Sequence, residues 1–291
     1  MKTYLYGLLA ESSIHPGAGR SSGFVDLPVA REAATDYPVI VGSSMKGALL
    51  GAGRDRETNP DDRRFLFGSA ELVEGDSGDS GGAGGLLISD ARLVLLPVRS
   101  LTSQFMWVTC PHLIERFLRD CRRSRVSLAD SDFDFGALGT DDGESPRYLG
   151  VDSGDLFLEE RQFAHAGPLP KGLTMILKPL ILHGKQPDVR SRLDDQLVVV
   201  SDESFAWFAR YGLSVNARNV LDEQTKTSKN LWYEETLPPD SLFYLVLAER
   251  SNGALEKAQK LFEGMPYLQV GGNETVGQGW FAVSEPLKGG Q

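Results

Sequence analysis

The sequence predicts an α+β fold, and three stretches carry that reading. Residues 3–10 (TYLYGLLA) alternate like a strand, and a glycine-serine turn further on opens a helix that ends near Gly53. At the other end LFYLVLAE reads as a strand, ALEKAQKLFEG as an amphipathic helix closed at Gly264, and PYLQV and WFAV as the last strands. Between them LLISDARLVLLPV is the most apolar run, a buried strand with a break at Ser89-Asp90. Strand–helix–strand at the front and again at the back is the ferredoxin-like arrangement, with the middle of the chain as excursions from that core.

The intervening elements follow in order. RRFLFGSAE places Phe65, Leu66 and Phe67 in the core after the polar residues 54–64, and 74–85 (EGDSGDSGGAGG) reads as a flexible acidic loop. Pro111 starts a helix with Leu113, Ile114, Phe117, Leu118 and Cys121 on one side; Arg116, Arg119, Arg122, Arg123 and Arg125 form a basic run whose default reading is a solvated face, the alternative being a subunit or RNA contact. Residues 126–171 are acidic and irregular, which suits an insertion. TMILKPLIL and QLVVV read as strands, and 202–211 as a short helix ended by Gly212. The 291 residues thus suit a single domain: a core of about 1–53, 86–110 and 240–285, insertions of about 54–85 and 126–171, and a protruding segment of about 213–240. No repeat of 20–50 residues is visible.

Composition bounds the function. The net charge of −10 argues against a polyanion partner at first sight. The carboxylates are unevenly placed, however: Glu74, Asp76 and Asp79 in one loop, and Asp130, Asp132, Asp134, Asp141, Asp142, Glu144, Asp152 and Asp155 in another. Charges more than about 10 Å apart are largely screened, so local fields decide. No apolar run approaches the roughly 20 residues of a membrane span. No cleavage-site pattern follows the N-terminal strand, and two cysteines are too few for a disulfide scaffold, so a cytoplasmic protein with reduced thiols is expected. His112, His165 and His183 show no zinc spacing. No nucleophile motif or pair of carboxylates marks an ordinary hydrolase.

Chemistry concentrates in residues 15–50. Two glycine-bearing loops, Gly17-Ala18-Gly19 and Gly42-Ser43-Ser44, flank a segment in which the carboxylate of Asp26 stands among apolar neighbours. Ser44 reads as the N-cap of the first helix, with Met45, Ala48, Leu49 and Ala52 on its apolar face and Lys46 in its first turn. Free N–H groups plus a lysine are the physics of a phosphate site, although the nucleotide-binding pattern Gly-x-x-x-x-Gly-Lys-Ser/Thr is absent. Asp26 is either a reactive carboxylate or the cap of a turn before Pro28. His15 is either a general acid or base or a hydrogen-bonded turn residue. Near the C-terminus Gly271, Gly272, Gly277 and Gly279 make either a hairpin turn or a wall that a backbone or phosphate can approach closely.

The wording VDLPVARE…YPVIVGSSMKGALL resembles the opening of RAMP-superfamily CRISPR proteins, in which a V-D-x-P segment leads to a P-x-I-P-G-S-S-x-K-G helix; Val41 stands where that pattern has its second proline. GGNETVGQG is similar to the G-G-x-x-x-x-G-x-G loop of the same family. The middle (LLISDARLVLLPVRS, FMWVTCPHLIERFLRD and NLWYEETLPPDSLFY) looks like the RAMP subunit that repeats along the backbone of the type III-B (Cmr) effector complex.

The resemblance implies a ferredoxin-like (RRM-like) palm with finger insertions and a thumb hairpin. It also implies a filament of copies along CRISPR RNA, other subunits of the type III-B complex as partners, and endonucleolytic cleavage of paired target RNA at regular intervals in antiviral defence. It assigns catalysis to Asp26, which could also hold a divalent cation, Mg2+ or Mn2+. RNA would be met by Gly17, Gly19, Arg20, Gly42, Ser43, Ser44, Lys46, Gly271, Gly272, Gly277 and Gly279, and by Trp232 and Tyr233 of the thumb. No RNP aromatics mark the strands, so the contacts expected are with backbone rather than bases. Glu234 and Glu235 either approach the target strand of a neighbouring site or are solvated hairpin charges. The rival reading is a structural RNA-binding subunit without nuclease activity, as in relatives that lack the aspartate.

Overall fold

The computed structural model describes residues 1–21, 23–56, 58–68, 82–128, 132–139, 145–182 and 187–290. The acidic positions 74–81, Asp130, Asp141, Asp142, Glu144 and His183 lie outside them. In chain order the elements are β1 (Thr3–Ala10), β2 (Val39–Ile40), α1 (Gly42–Asp55), α2 (Pro60–Phe67), β3 (Leu86–Ile88), β4 (Ala91–Arg99), β5 (Phe105–Thr109) and α3 (Pro111–Arg123). There follow β6 (Arg147–Leu149), β7 (Leu156–Leu158), β8 (Arg161–Gly167), α4 (Leu173–Leu177), α5 (Pro187–Gln196), β9 (Leu197–Val200) and α6 (Asp202–Tyr211). The chain ends with β10 (Ser214–Leu221), β11 (Ser228–Thr236), β12 (Leu242–Glu249), α7 (Ala254–Lys260), β13 (Tyr267–Gln269), β14 (Trp280–Val283) and β15 (Leu287–Lys288).

Four strands form the heart of one large sheet in the order β14-β1-β12-β4, each antiparallel to its neighbours. The connection through α1 carries the chain from β1 past β12 to β4. The connection through α7 carries it from β12 past β1 to β14. Two interleaved strand–helix–strand units of this kind are the ferredoxin-like palm that the ends of the sequence predict. Beyond β4 the sheet continues through β5, β9, β6, β8 and β7.

Both faces of the sheet are covered, as strict alternation in β1 requires. Tyr4, Tyr6 and Leu8 pack with Met45 and Leu49 of α1 and Leu255 of α7; Leu5 and Leu9 pack on the other face with Ile114 and Phe117 of α3 and Leu177 of α4. In β4 the alternation slips. Val94 and Leu95 both face the α3 side because a bulge opposite Leu242–Phe243 inserts one residue. Gly7 is fixed by contact: a Cβ there would lie 1.9 Å from the carbonyl oxygen of Leu180, so the turn after α4 rests directly on the β1 backbone.

Three expectations change. TMILKPLIL is not a strand: Leu173, Ile176, Leu177, Leu180 and Ile181 are buried at the spacing of one helical stripe, and they form α4 and a following 3-10 turn. Residues 126–171 are less irregular than composition suggests, since β6, β7 and β8 extend the main sheet. Arg116 of the basic run is buried, not solvated. It donates to both carboxylate oxygens of Glu32 at 2.6 Å, while its neighbour Asp120 accepts from Arg92 at 2.8 Å and from the Tyr244 hydroxyl at 2.7 Å. Leu66 and Phe67 are core residues as expected, carried by α2. The β10–β11 hairpin stands apart as its own two-stranded sheet with most side chains exposed, which is the thumb. Among the described residues no helix is long and apolar enough to cross a membrane.

Candidate functional site

The site is built from the excursion between β1 and β2 and from two later segments that close on it. Leaving the sheet, Ile14 pairs with Leu237 at the foot of the thumb by N–H to carbonyl bonds of 3.0 and 2.8 Å. His15 follows, 7% exposed, with Nδ1 2.8 Å from the carbonyl oxygen of Glu235. A carbonyl only accepts, so Nδ1 carries a proton here. The ring lies between glycines of both motifs: a Cβ at Gly17 would sit 2.9 Å from Nε2, and one at Gly272 3.1 Å from Cδ2. The His15 carbonyl in turn accepts from the Gly272 N–H at 2.9 Å. The two glycine motifs from opposite ends of the sequence therefore meet at one histidine.

The chain then runs out and back. Ala18 donates to the Pro28 carbonyl and Ala30 to that of Pro16, while the Ser21 N–H closes the outer turn on the Asp26 carbonyl at 2.9 Å. Gly19 takes φ +92° in this turn, and Arg20 and Phe24 at its tip are exposed. On the return, Leu27 lies along β11, donating to Tyr233 at 3.1 Å and accepting from Glu235 at 3.0 Å. Asp26 is half-buried. Its Oδ2 accepts from the Tyr233 N–H at 2.8 Å, and among the described residues its Oδ1 has no partner. The arrangement leaves one carboxylate oxygen unengaged on a fixed backbone.

Glu234 and Glu235 are not solvated hairpin charges; they are 2% and 6% exposed. Successive strand residues point to opposite sides, and each glutamate grips a different segment. Glu235 accepts from the Val29 N–H at 3.0 Å and from Arg31 Nη2 at 2.7 Å. Glu234 accepts from Asn273 Nδ2 and lies 3.6 Å from Arg218 of β10. Asn273 adopts φ +65° inside the C-terminal glycine loop. That loop is both things expected of it: a hairpin joining β13 to β14, with Gly271, Gly277 and Gly279 at positive φ, and a wall of the site. Trp232 is half-buried opposite Arg218, and Tyr233 is exposed.

The first helix differs from expectation in its start. Its N-cap is Val41 rather than Ser44, and the Gly42 N–H donates to Asp90 Oδ1 at 2.7 Å. The break at Ser89-Asp90 thus has a purpose: it supplies the carboxylate that satisfies this helix end. Ser43, Ser44 and Lys46 remain exposed, and Lys46 now falls in the second turn. Between α1 and the C-terminal loop lies a cleft of about 850 Å³, lined by Gly17, Ser44, Gly47, Gly51, Gly271 and Gly272 with Trp280 also facing it. Nothing lies within 4 Å of where a Cβ would stand on Gly47 or Gly51. Charged side chains (Arg54, Asp55, Arg56 and Glu274) also line the cleft, and its glycine positions are where a nucleic-acid backbone could come to close range.

Sequence reasoning missed Arg31, Asn273 and Asp90 as members of the site. Arg31 and Asn273 act through partners more than thirty residues distant, which no local pattern reveals. The cysteines take no part: burial pushes the Cys121 thiol up to about 12 and that of Cys110 well above its ordinary value. No group of three or more His, Cys, Asp or Glu stands together among the described residues.

The RAMP superfamily profile matches residues 8–282. The chain is 30% identical over 292 residues to the CRISPR system Cmr endoribonuclease Cmr4 of Pyrococcus furiosus, covering 98% of this chain and 96% of that protein. The crystal structure of oligomeric Cmr4 from Pyrococcus furiosus superposes with a TM-score of 0.68 at 22% identity, covering 98% of this chain and 97% of that one. A chain of the type III-B Cmr-beta complex bound to cognate target RNA, solved by cryo-EM, matches with a TM-score of 0.72 at 20% identity, covering 98% and 97%.

Proposed function

The chain belongs to the RAMP superfamily, and on that premise we propose that it is a backbone subunit of a cytoplasmic type III-B CRISPR effector complex that binds CRISPR RNA along a filament of its own copies and cuts the paired target RNA. The observation that carries this reading is Asp26: a carboxylate with one oxygen held by Tyr233 and the other unengaged, on a loop bonded through Pro28 and Ala30 to the Pro16–Ala18 segment that borders the cleft. A carboxylate repels phosphate, so beside an RNA path its use is chemical rather than adhesive.

RNA supplies its own nucleophile, the 2′-OH. The protein's part is to fix the scissile phosphate in line with that hydroxyl, with Asp26 accepting its proton or orienting it. A cation held by protein ligands alone does not fit this donor set, whereas one shared between Asp26 and RNA phosphates does. When bound, such an ion supplies neutralisation of the charge that develops on the phosphate. The His15 ring, bonded through Nδ1 to the Glu235 carbonyl and packed against Gly17 and Gly272, is suited to hold the wall in shape.

The test is reconstitution of the complex with guide RNA and a complementary target. Cuts at regular intervals are expected, and chelation by EDTA should stop them while leaving target binding intact. Uncut target bound in the presence of Mg2+ or Mn2+ would identify a structural subunit instead. Cleavage that persists after exhaustive chelation would remove the cation from the scheme.

Lys46 gives a separate expectation. Exposed near the N–H groups of Ser43 and Ser44, it neutralises a guide phosphate, and Lys46→Ala should weaken guide binding without sequence preference. The log–log salt dependence should become shallower by roughly 0.7 per subunit contact. Parallel salt titrations for the two proteins would leave Lys46 without a phosphate partner.

A further inference from the structure

We infer that Glu235 is a positioning residue for Asp26, with Arg31 as its counter-ion; the inference rests on the reading of Asp26 as the catalytic carboxylate. Asp26 and Leu27 lie along β11 like the start of a third hairpin strand, but the next carbonyl of that ladder, that of Glu235, already accepts from His15 Nδ1. The next donor, Val29 N–H, meets the side chain of Glu235 rather than a backbone carbonyl. Oε2 takes that N–H at 3.0 Å and Oε1 takes Arg31 Nη2 at 2.7 Å, so neither oxygen is left to act on RNA. Arg31 is anchored elsewhere as well, donating through Nη1 to the carbonyl oxygens of Asp36 at 2.9 Å and of Ala209 in α6 at 2.6 Å.

The result is a strut. It runs from the end of α6 through Arg31 and Glu235 into the backbone three residues after Asp26. The pair is buried, with side chains 17% and 8% exposed, so each charge depends on the other. Removing the carboxylate leaves the segment after Leu27 free to shift against the thumb, and displacements of an ångström at a reacting group are costly in rate. Of the two roles the sequence leaves open for Glu235, a contact with a target strand or a solvated charge, its geometry matches neither: both oxygens hold the segment that follows Asp26.

The experiment uses the assembled complex with guide RNA and a fully complementary target, under single-turnover conditions. Glu235→Gln should lower the cleavage rate at saturating target about 10-fold or more. Target affinity, copy number and the shape of the pH–rate profile should stay as in the parent, and backbone amide exchange in residues 26–30 should rise. Arg31→Lys, which keeps the charge but loses the fork that reaches Asp36 and Ala209, should fall between the two. It carries the test if Glu235→Gln does not assemble. An unchanged rate in these variants, with Asp26→Ala inactive, overturns the positioning role. A loss of rate matched by a loss of assembly or target affinity overturns it too, and makes the pair merely structural. Cleavage that survives in Asp26→Ala overturns the underlying reading, whatever Glu235 does.

Discussion

Asp26→Ala will abolish target cleavage, lowering the single-turnover rate by roughly 10²-fold or more, while guide binding and assembly stay at the level of the parent protein. The side chain is half-buried and makes one hydrogen bond, from the Tyr233 N–H at 2.8 Å, so truncating it costs on the order of 1 kcal/mol of stability. Leu27 stays on β11 through its own two backbone bonds, and Glu235 keeps its hold on Val29. Asp26→Asn separates the two roles that a carboxylate can have here. Its amide oxygen still accepts from Tyr233, so a loss of mere loop structure would be repaired, whereas a loss of charge would not. Cleavage assays and filter binding on all three proteins decide the matter. Activity in the asparagine variant close to that of the parent would reduce Asp26 to a turn residue.

A single 2′-deoxy nucleotide on the 5′ side of one cleavage site will silence that cut and no other. No cysteine can serve as nucleophile, since Cys110 and Cys121 are buried and their thiols are pushed up. Asp26 offers one free oxygen, enough to orient or deprotonate a hydroxyl that the RNA brings with it. The downstream product should then carry a 5′-hydroxyl. A 5′-phosphate on that fragment, with the deoxy substrate cut at the normal rate, would instead require an activated water.

The parts of this fold that were legible in the sequence are those whose periodicity is unmixed. β1, β12, α3 and α6 are long enough, and alternate or repeat clearly enough, for local pattern to decide them. The break at Ser89-Asp90 was legible because two polar residues interrupt an otherwise apolar run. TMILKPLIL misled because apolar content is high on either reading, and only burial at Leu173, Ile176, Leu177, Leu180 and Ile181 reveals the helical stripe. Within the site, glycines and Asp26 were visible because backbone freedom and an isolated charge are local properties. The roles of Glu234, Glu235 and Arg116 were not, since each depends on a partner more than thirty residues distant. A charged residue in a polar segment reads as solvated until the chain folds an opposite charge onto it.

The interleaving of the two halves of the palm also sets a schedule for synthesis. β1 leaves the ribosome long before its neighbours on either side, β12 and β14. At roughly 5–20 residues per second, the approximately 230 residues between them take on the order of 10–50 s to arrive. Through that interval an apolar strand has both edges unpaired, a state that invites association with other nascent chains. Tyr233 and Glu235, the residues that hold Asp26 in place, emerge just ahead of β12. Until those residues arrive, the loop that bears Asp26 lacks both of its ties to the thumb.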